Sequence, residues 1–484
     1  MNKKNVFSNF IWRFLERCGA QGVTFVVSIV LARLLDPSVY GTIALVTVFT
    51  TVMQVFVDSG MGSALIQKKE TDDLDFSSVF YFNMVVCCFL YLVMFLTAPL
   101  IAIFYDMPDL VPVIRVLSLI LIISGVKNVQ QAYVSRHMLF RKFFFSTLGG
   151  TIGAAVVGIV MAYCGFGVWA LVAQMLFNTI IDTTILWITV KWRPKRMFSM
   201  ERLKGLFSFG WKVLLSALID TIYTDLRQLI IGKMYTKDDL AFYNQGDKFP
   251  KLVVTNINTS IDSVLLPTMS REQNNPDRVK DMTRRAIKTS TFIMMPIMVG
   301  LAVCAEPLVR LILSDKWLPC VPFLRIFCFT YAFYPIHTAN LNAIKALGRS
   351  DLFLKLEICK KGVGLIVLLS TMWFGVMAMA YSLLFTSVIN QIINSFPNKK
   401  LLHYSYLSQF KDMFPQIGLS LAMGGIVYCV QFIGLNDILT LMLQVIVGVV
   451  TYIVGSRLFH IESFDYLLNI AKGFLHKGKK GVES

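Results

Sequence analysis

Five polar residues near the start of the chain, Arg13, Arg17, Gln21, Thr24 and Ser28, recur at spacings of three and four. On an α-helix that spacing gathers them within an arc of roughly 80°. Two more stretches carry such a stripe: Thr47, Thr50, Thr51, Gln54 and Asp58, and further on Lys212, Ser216, Asp220, Tyr223 and Arg227. Shorter groups are Lys127 with Asn128 and Gln131, and Tyr334 with His337. Guanidinium and ammonium groups bind anions, arginine holding a phosphate through paired donors, while amides and hydroxyls suit the hydroxyls of a sugar. The candidate substrate-binding set is therefore Arg13, Arg17, Gln21, Gln54, Asp58, Lys127, Lys212, Asp220, Tyr223, Arg227 and His337. A purely structural explanation competes with it. Arg13 and Arg17 can snorkel to an interface, and Asp220 and Arg227 can neutralise each other or a neighbouring helix.

Covalent chemistry finds little support. The segment DDLD, Asp72 to Asp75, has the spacing by which some glycosyltransferases hold a metal and a nucleotide sugar, but it stands just before an apolar run, where an N-cap explains it. His337 has no Cys or Glu constellation around it, and neither a nucleophile elbow nor a Gly-rich phosphate loop occurs. The nine cysteines lack metal-site spacing and read as small packing residues. No enzyme activity, cofactor or metal is expected.

The elements that must position the polar stripes are long apolar helices. The 484 residues are 56% hydrophobic and 15% charged, with a mean hydropathy of +0.64, far more apolar than a soluble core of this length requires. About fourteen runs are long enough to cross a hydrocarbon layer roughly 30 Å thick. The first seven are Arg13 to Leu35, Tyr40 to Ile66, Phe76 to Ile103, Leu110 to Ala132, Phe143 to Cys164, Phe166 to Val190 and Leu206 to Ile231. The others are Phe249 to Met269, Ile287 to Leu313, Val321 to Ala346, Leu352 to Phe374, Val376 to Phe396, Phe414 to Ile433 and Ile438 to Phe459. Backbone groups in lipid must be satisfied within their own segment, and the runs lack period-2 alternation, so the fold class is all-α and polytopic. Gly149, Gly153 and Gly158 of the fifth run are expected to let a neighbouring helix approach closely. The first run reads as a span rather than a cleavable signal peptide.

A net charge of +17 raises the question of a nucleic-acid partner, which the distribution of charge answers. Roughly 32 of the 46 Lys and Arg fall on the side that holds both termini, against about 8 on the other. That asymmetry places both termini in the cytoplasm of a multi-pass protein in the cytoplasmic membrane, with no nucleic acid involved. The tail FDYLLNIAKGFLHKGKK reads either as a short interfacial helix or as a disordered basic segment.

The hairpin LARLLDPSVYG, Leu31 to Gly41, has Asp36-Pro37-Ser38 as its turn and Arg33 as an interfacial anchor. A related stretch, IGKMYTKDDLAFYNQG, follows at an offset of 200, so that Arg33 falls on Lys233 and Ser38 on Asp238. Runs one to six and seven to twelve share a loop pattern and are divided by the basic loop from Lys191 to Lys204. This organisation predicts an N-terminal lobe over 1–200, a C-terminal lobe over 201–400, and two extra helices with a basic tail over 401–484. Two pseudo-symmetric six-helix lobes favour alternating access around a hydrated, net cationic cleft.

Several longer motifs resemble a known family. They are WRFLERCGAQGVTFVVSIVLARLLDPSVYG, VDSGMGSALIQKKE (Val57 to Glu70), GFGVWALVAQ (Gly165 to Gln174) and PIHTANLNAIKALGRSDLFLKLEI (Pro335 to Ile358). Over about residues 7 to 430 the chain is similar to the Wzx-type polysaccharide and lipopolysaccharide biosynthesis exporters of the multidrug/oligosaccharidyl-lipid/polysaccharide exporter superfamily. The resemblance implies fourteen helices in two six-helix lobes, and a flippase moving a polyprenyl-pyrophosphate-linked oligosaccharide from the inner to the outer leaflet. Membrane lipids, H+ or Na+ as coupling ion, and polymerase or glycosyltransferase proteins are the further partners expected. A drug antiporter of the same superfamily would more naturally line its cavity with unpaired carboxylates. A membrane-embedded glycosyltransferase would need a large acidic outer loop, whereas the longest, Gly232 to Lys248, is small.

Overall fold

A computed structural model describes residues 3–58, 61–68, 71–469 and 472, with the side chains of 3–18, 63, 67, 208 and 209 outside the description. Every described regular element is helical. The chain divides into two compact units, Met1–Ala241 and Phe242–Ser484, and the boundary falls inside a helix.

The first unit holds α1 (Lys3–Leu34), α2 (Pro37–Asp58), α3 (Met61–Gln67), α4 (Asp73–Phe104), α5 (Leu110–Leu117), α6 (Leu119–Arg136), α7 (Phe140–Tyr163), α8 (Val168–Thr189), α9 (Met200–Met234) and the start of α10 (Lys237–Arg271). The second continues α10 and adds α11 (Pro276–Val303), α12 (Ala305–Ile312), α13 (Val321–Ala332), α14 (Tyr334–Ala346), α15 (Ser350–Thr371), α16 (Val376–Leu401), α17 (Tyr406–Cys429) and α18 (Asp437–Leu458).

Ten helical stretches among the described residues are long and apolar enough to cross a membrane, or eleven if α9, bent by 48°, is one span. The all-helical, polytopic class expected from composition is therefore seen, while the count of fourteen spans is not reached. Its shortfall lies in α1, α10 and α15. These are helical, and of α1 the part whose side chains are described, Gly19–Leu34, is apolar but shorter than a span. α10 carries Lys248, Lys251 and Asp262 among Asn, Thr and Ser, and α15 carries Lys355, Glu357, Lys360 and Lys361, so their apolar windows are interrupted.

The two related hairpins have the same helix limits at an offset of 200. α1 stops at Leu34 and α2 starts at Pro37, while α9 stops at Met234 and α10 starts at Lys237. Proline supplies the preset φ of the first helical position in one copy. In the other, Thr236 and Asp239 form a reciprocal cap, each backbone N–H donating to the partner's side chain at 3.2 and 3.1 Å. Gly41 sits at the beginning of the second turn of α2, where a Cβ would lie 1.9 Å from the Lys237 carbonyl oxygen, so the two helix starts meet backbone to backbone.

In the first unit α7 and α8 pack most extensively, and the expected glycines explain how. A Cβ on Gly149 would come within 2.7 Å of Ile185, one on Gly153 within 2.4 Å of Ile181, and one on Gly158 within 3.0 Å of Gln174. The turn into α8 uses Gly167 at φ +53 and the turn into α16 uses Gly375 at φ +98, each directly after a phenylalanine. The core below them joins α3, α4, α6, α7, α8 and α9 through Leu65, Phe76, Val129, Phe143, Leu186 and Leu206.

The DDLD segment caps α4. Asp72 accepts from the Asp75 N–H at 2.9 Å and Asp75 accepts from the Asp72 N–H at 3.3 Å, a complete capping box. The bond from the Asp75 backbone holds the Asp72 carboxyl below its ordinary range, with the Arg202 charge adding to the effect. Asp75, fully buried, also takes Lys68 at 2.6 Å. The basic loop before α9 settles on the same helix start: Trp192 donates to Asp73, Lys195 pairs with Asp73, and the Ser199 N–H donates to Ser78.

In the second unit α11 packs against α13, α14 and α17. Buried Asn340 of α14 and Gln409 of α17 exchange hydrogen bonds at 2.9 and 3.0 Å, and Asn398 of α16 donates to the Asn340 oxygen at 2.7 Å. This amide network ties three helices, with Asn398 Oδ1 left buried and without a partner. Residues 462–469 of the tail are helical, while the basic stretch that follows lies, except for Lys472, outside the described residues.

Candidate functional site

A polar pocket of about 310 Å³ opens in the first unit between α2, α3 and α6, lined among others by Gln54, Asp58, Gly62, Lys127, Asn128 and Gln131. Three of the residues singled out from sequence, Gln54, Asp58 and Lys127, are thereby brought together. The upper half of their stripe on α2 does not join them. Thr47 and Thr50 return their hydroxyls to carbonyls of their own helix, leaving Gln54 and Asp58 to project side chains.

Asp58 Oδ1 accepts from Gln54 Nε2 at 3.0 Å and from Asn128 Nδ2 at 3.3 Å. With both amide groups turned towards the carboxylate, Gln54 Oε1 and Asn128 Oδ1 are left buried without a hydrogen-bond partner. Gly62 makes room for this arrangement, since a Cβ there would lie 2.8 Å from Asn128 Oδ1. Lys127 Nζ donates to Asp182 Oδ2 of α8 at 3.0 Å, and Asp182 Oδ1 is a third buried oxygen with no partner. Both side chains of the pair are more than four-fifths buried. The pocket is thus lined by one ammonium, and three oxygens with spare acceptor capacity are buried in or behind its wall, a set that a ligand bearing both an anion and hydroxyl donors can engage by exchanging partners and side-chain rotamers.

Asp182 was not among the residues expected from sequence. It is a lone carboxylate in the apolar run NTIIDTTILW, and such a residue in a span is itself the available signal.

The other expected residues are dispersed. Arg13 and Arg17 lie on α1, but their side chains are outside the description, and Gln21 is exposed on the same helix. On α9, Lys212 and Asp220 are exposed, Tyr223 is half-buried, and Arg227 is buried at 8% exposure. His337 belongs to the second unit, where it is buried on α14 with Nδ1 at 3.1 Å from Asn394 Nδ2 of α16 and its ring against Tyr334. The second unit also holds an apolar groove of about 470 Å³ between α10, α11, α17 and α18, lined by Pro296, Leu301, Met423, Val427, Val445 and Tyr452 among others.

Apolar helices of spanning length that bury an ammonium, amides and carboxylates define a polytopic membrane protein of transporter type. The chain matches the family described as "Polysaccharide biosynthesis protein" over residues 30–322, and it belongs to that family. Among its relatives, the succinoglycan biosynthesis transport protein ExoT of Rhizobium meliloti is 23% identical over 350 residues, covering 72% of this chain and 71% of that one. The teichuronic acid biosynthesis protein TuaB of Bacillus subtilis is 23% identical over 392 residues, covering 79% and 80%. In fold the chain is similar to the lipid II flippase MurJ in an inward closed conformation, with a TM-score of 0.74, 16% identity, and 95% and 99% of the two chains covered.

Proposed function

We propose that this protein is a flippase that moves a polyprenyl-pyrophosphate-linked oligosaccharide across the cytoplasmic membrane for polysaccharide biosynthesis. The observation that carries the reading is the Lys127 pocket within a chain of this family: an ammonium held by one carboxylate, beside amides with unused acceptors, suits a ligand that is an anion at one end and a sugar at the other. The family match, and relatives named for succinoglycan transport and teichuronic acid biosynthesis, support a glycan cargo. Resemblance to a lipid II flippase supports a fold able to carry a lipid-linked one. The activity is transport, not bond-making.

In this mechanism the pyrophosphate displaces Asp182 from Lys127 and is held by Lys127 together with Arg227, after recruitment by Arg13, Arg17 and Lys212. Gln21, Gln54, Asp58, Asp220, Tyr223 and His337 complete the proposed set of polar contacts, while the isoprenoid tail stays in the bilayer. Alternating access, fourteen spans in two six-helix lobes with a basic tail, cytoplasmic termini and coupling to H+ or Na+ belong to the same proposal. Topology reporters fused after Arg196 and Ser270 should report cytoplasm and one after Asp315 the outside; a cytoplasmic signal at Asp315 refutes the arrangement.

The function is tested in a strain lacking its own exporter for a defined repeat unit. Expression of this chain should restore surface glycan and clear the lipid-linked precursor from the inner leaflet. Precursor that stays inside despite correctly inserted protein rejects the reading.

A further inference from the structure

The Lys127 pocket carries more negative charge than a site for an anion should. Among the described residues that line it, Lys127 is the one cation, and Arg227 is not part of the wall. Against that ammonium stand two carboxylates, Asp58 in the wall and Asp182 behind Lys127 at 3.0 Å, so one positive and two negative groups leave a net charge of −1. A pyrophosphate diester brings about two further negative charges, and the pocket would reach about −3 in a partly buried place where like charges repel strongly.

Asp58 is placed to relieve this. Gln54 Nε2 and Asn128 Nδ2 both donate to its Oδ1, at 3.0 and 3.3 Å, which orients the carboxylate and leaves Oδ2 without a partner among the described residues. The Asp58 side chain is exposed and lines the pocket, as do Gln131 and Ser135, one and two turns along α6 from Lys127. The wall therefore offers an oriented anionic oxygen with amide and hydroxyl oxygens nearby, the donor types preferred by a hard cation. No group of three or more His, Cys, Asp or Glu among the described residues is placed to hold a metal ion by itself. Mg2+ does not need one: it keeps several of its waters and is bound by one or two carboxylates together with the phosphate oxygens of a substrate.

We propose that the protein takes its lipid-linked cargo as the Mg2+ complex of the pyrophosphate, with Asp58 Oδ2 as the protein's ligand to the cation and Lys127 on a phosphate oxygen. Gln54 and Asn128 are positioning residues that hold the carboxylate, and Gln131 and Ser135 receive waters of the cation. The Mg2+ complex of a pyrophosphate diester is neutral, so the pocket keeps the charge it has without cargo. The cation travels with the substrate and is not a resident metal. This inference deepens the transport reading and rests on it.

Calorimetric titration of the purified full-length protein in detergent with farnesyl-pyrophosphoryl-glucose, in Mg2+ and in EDTA at matched ionic strength, tests the proposal. Wild-type protein should bind about tenfold more tightly in Mg2+, the magnitude of one charge-assisted contact. Asp58→Asn should lose that gain and yet bind at least as well as the wild type in EDTA, because the repelling charge is gone. Asp58→Glu, which keeps the carboxylate on a longer arm, should retain part of the gain. Mg2+ without the pyrophosphate should leave the melting temperature of the wild type unchanged. Equal binding in Mg2+ and EDTA overturns this inference while leaving the pocket an anion site. So does a gain that survives intact in Asp58→Asn, which would put the cation on the pyrophosphate without help from the protein, and so does stabilisation by Mg2+ alone, which would make it a resident metal. Binding in neither condition overturns the pyrophosphate reading of the pocket, and this inference with it.

Discussion

Lys127 Nζ lies 3.0 Å from Asp182 Oδ2, a bond that joins α6 to α8 across 55 positions of sequence. Since both side chains are largely buried, removing one strands the other. Lys127→Gln and Asp182→Asn should each destabilise the protein, by about 3–5 kcal/mol for a fully buried pair and less here in proportion to remaining solvent access. The double variant should recover protein level. If Lys127 also grips the cargo, the double variant still fails to export, and surface glycan measured at matched protein level reads that difference. Restored export would leave Lys127 a structural residue.

Arg227 separates the same alternatives on α9. Arg227→Lys should retain part of the export, because charge survives and paired-donor geometry does not. Arg227→Gln should abolish it. If Arg227 serves only to balance Asp220, the combination Asp220→Asn with Arg227→Gln should export normally, and that outcome removes Arg227 from the cargo path.

The amide network of the second unit predicts a stability effect without a charge effect. Replacing Gln409 by Leu removes both bonds to Asn340 and leaves a buried amide short of partners. A loss of about 1–3 kcal/mol is expected, read as a lower midpoint in thermal unfolding in detergent. An unchanged midpoint would mean that α14 and α17 are held by packing alone.

The tail helix should loosen modestly in acid, since the glutamate of its ion pair is largely solvent-exposed. The hydrogen bond from Lys288 holds Glu462 below the ordinary carboxylate range. A depressed folded value means that the contact contributes fully above the usual glutamate range and is lost as pH falls through the lowered value. Hydrogen exchange in 462–469 should therefore be flat from neutral pH down to that range and rise below it, after correction for the intrinsic rate. Glu462→Gln should raise exchange at neutral pH and remove the acid step, whereas an unchanged step would assign it to another group.

Gly41 offers a steric test. Its missing Cβ would stand 1.9 Å from a backbone oxygen, which no rotamer change relieves. Gly41→Ala should cost about 1–3 kcal/mol or more as the starts of α2 and α10 are forced apart, and it should lower the amount of folded protein in the membrane. Gly205→Ala, on α9 with nothing within 4 Å of its Cβ position, is the control and should be neutral or slightly stabilising.

Local chemistry made much of this fold legible. The Asp36-Pro37 turn, the Asp72–Asp75 cap and the close-packing glycines of α7 each depend on residues near one another in sequence or on a single helix face. The expected span count was less secure, because α10 and α15 combine helical residues with enough charge to interrupt an apolar window. Long-range pairing was the least legible. Polar residues in apolar runs pointed to Gln54, Asp58 and Lys127, but nothing in their spacing says that Asp182 meets Lys127 or that Asn394 meets His337. Those partners follow from how α6 packs on α8 and α14 on α16, which a one-dimensional pattern does not encode.

The Lys127–Asp182 pair also sets an order of events during synthesis. The ribosome delivers the lysine first, and at about 5–20 residues per second the aspartate follows roughly three to eleven seconds later. In that interval α6 must enter the bilayer with its ammonium still unmatched, at an insertion cost of about 2.5–3.5 kcal/mol on the translocon scale. The strongly apolar remainder of the helix, whose mean hydropathy together with α5 reaches 2.1, offsets that cost until α8 arrives. A nascent chain arrested between the two helices therefore holds a membrane segment that is inserted but electrically incomplete, a natural substrate for membrane quality control.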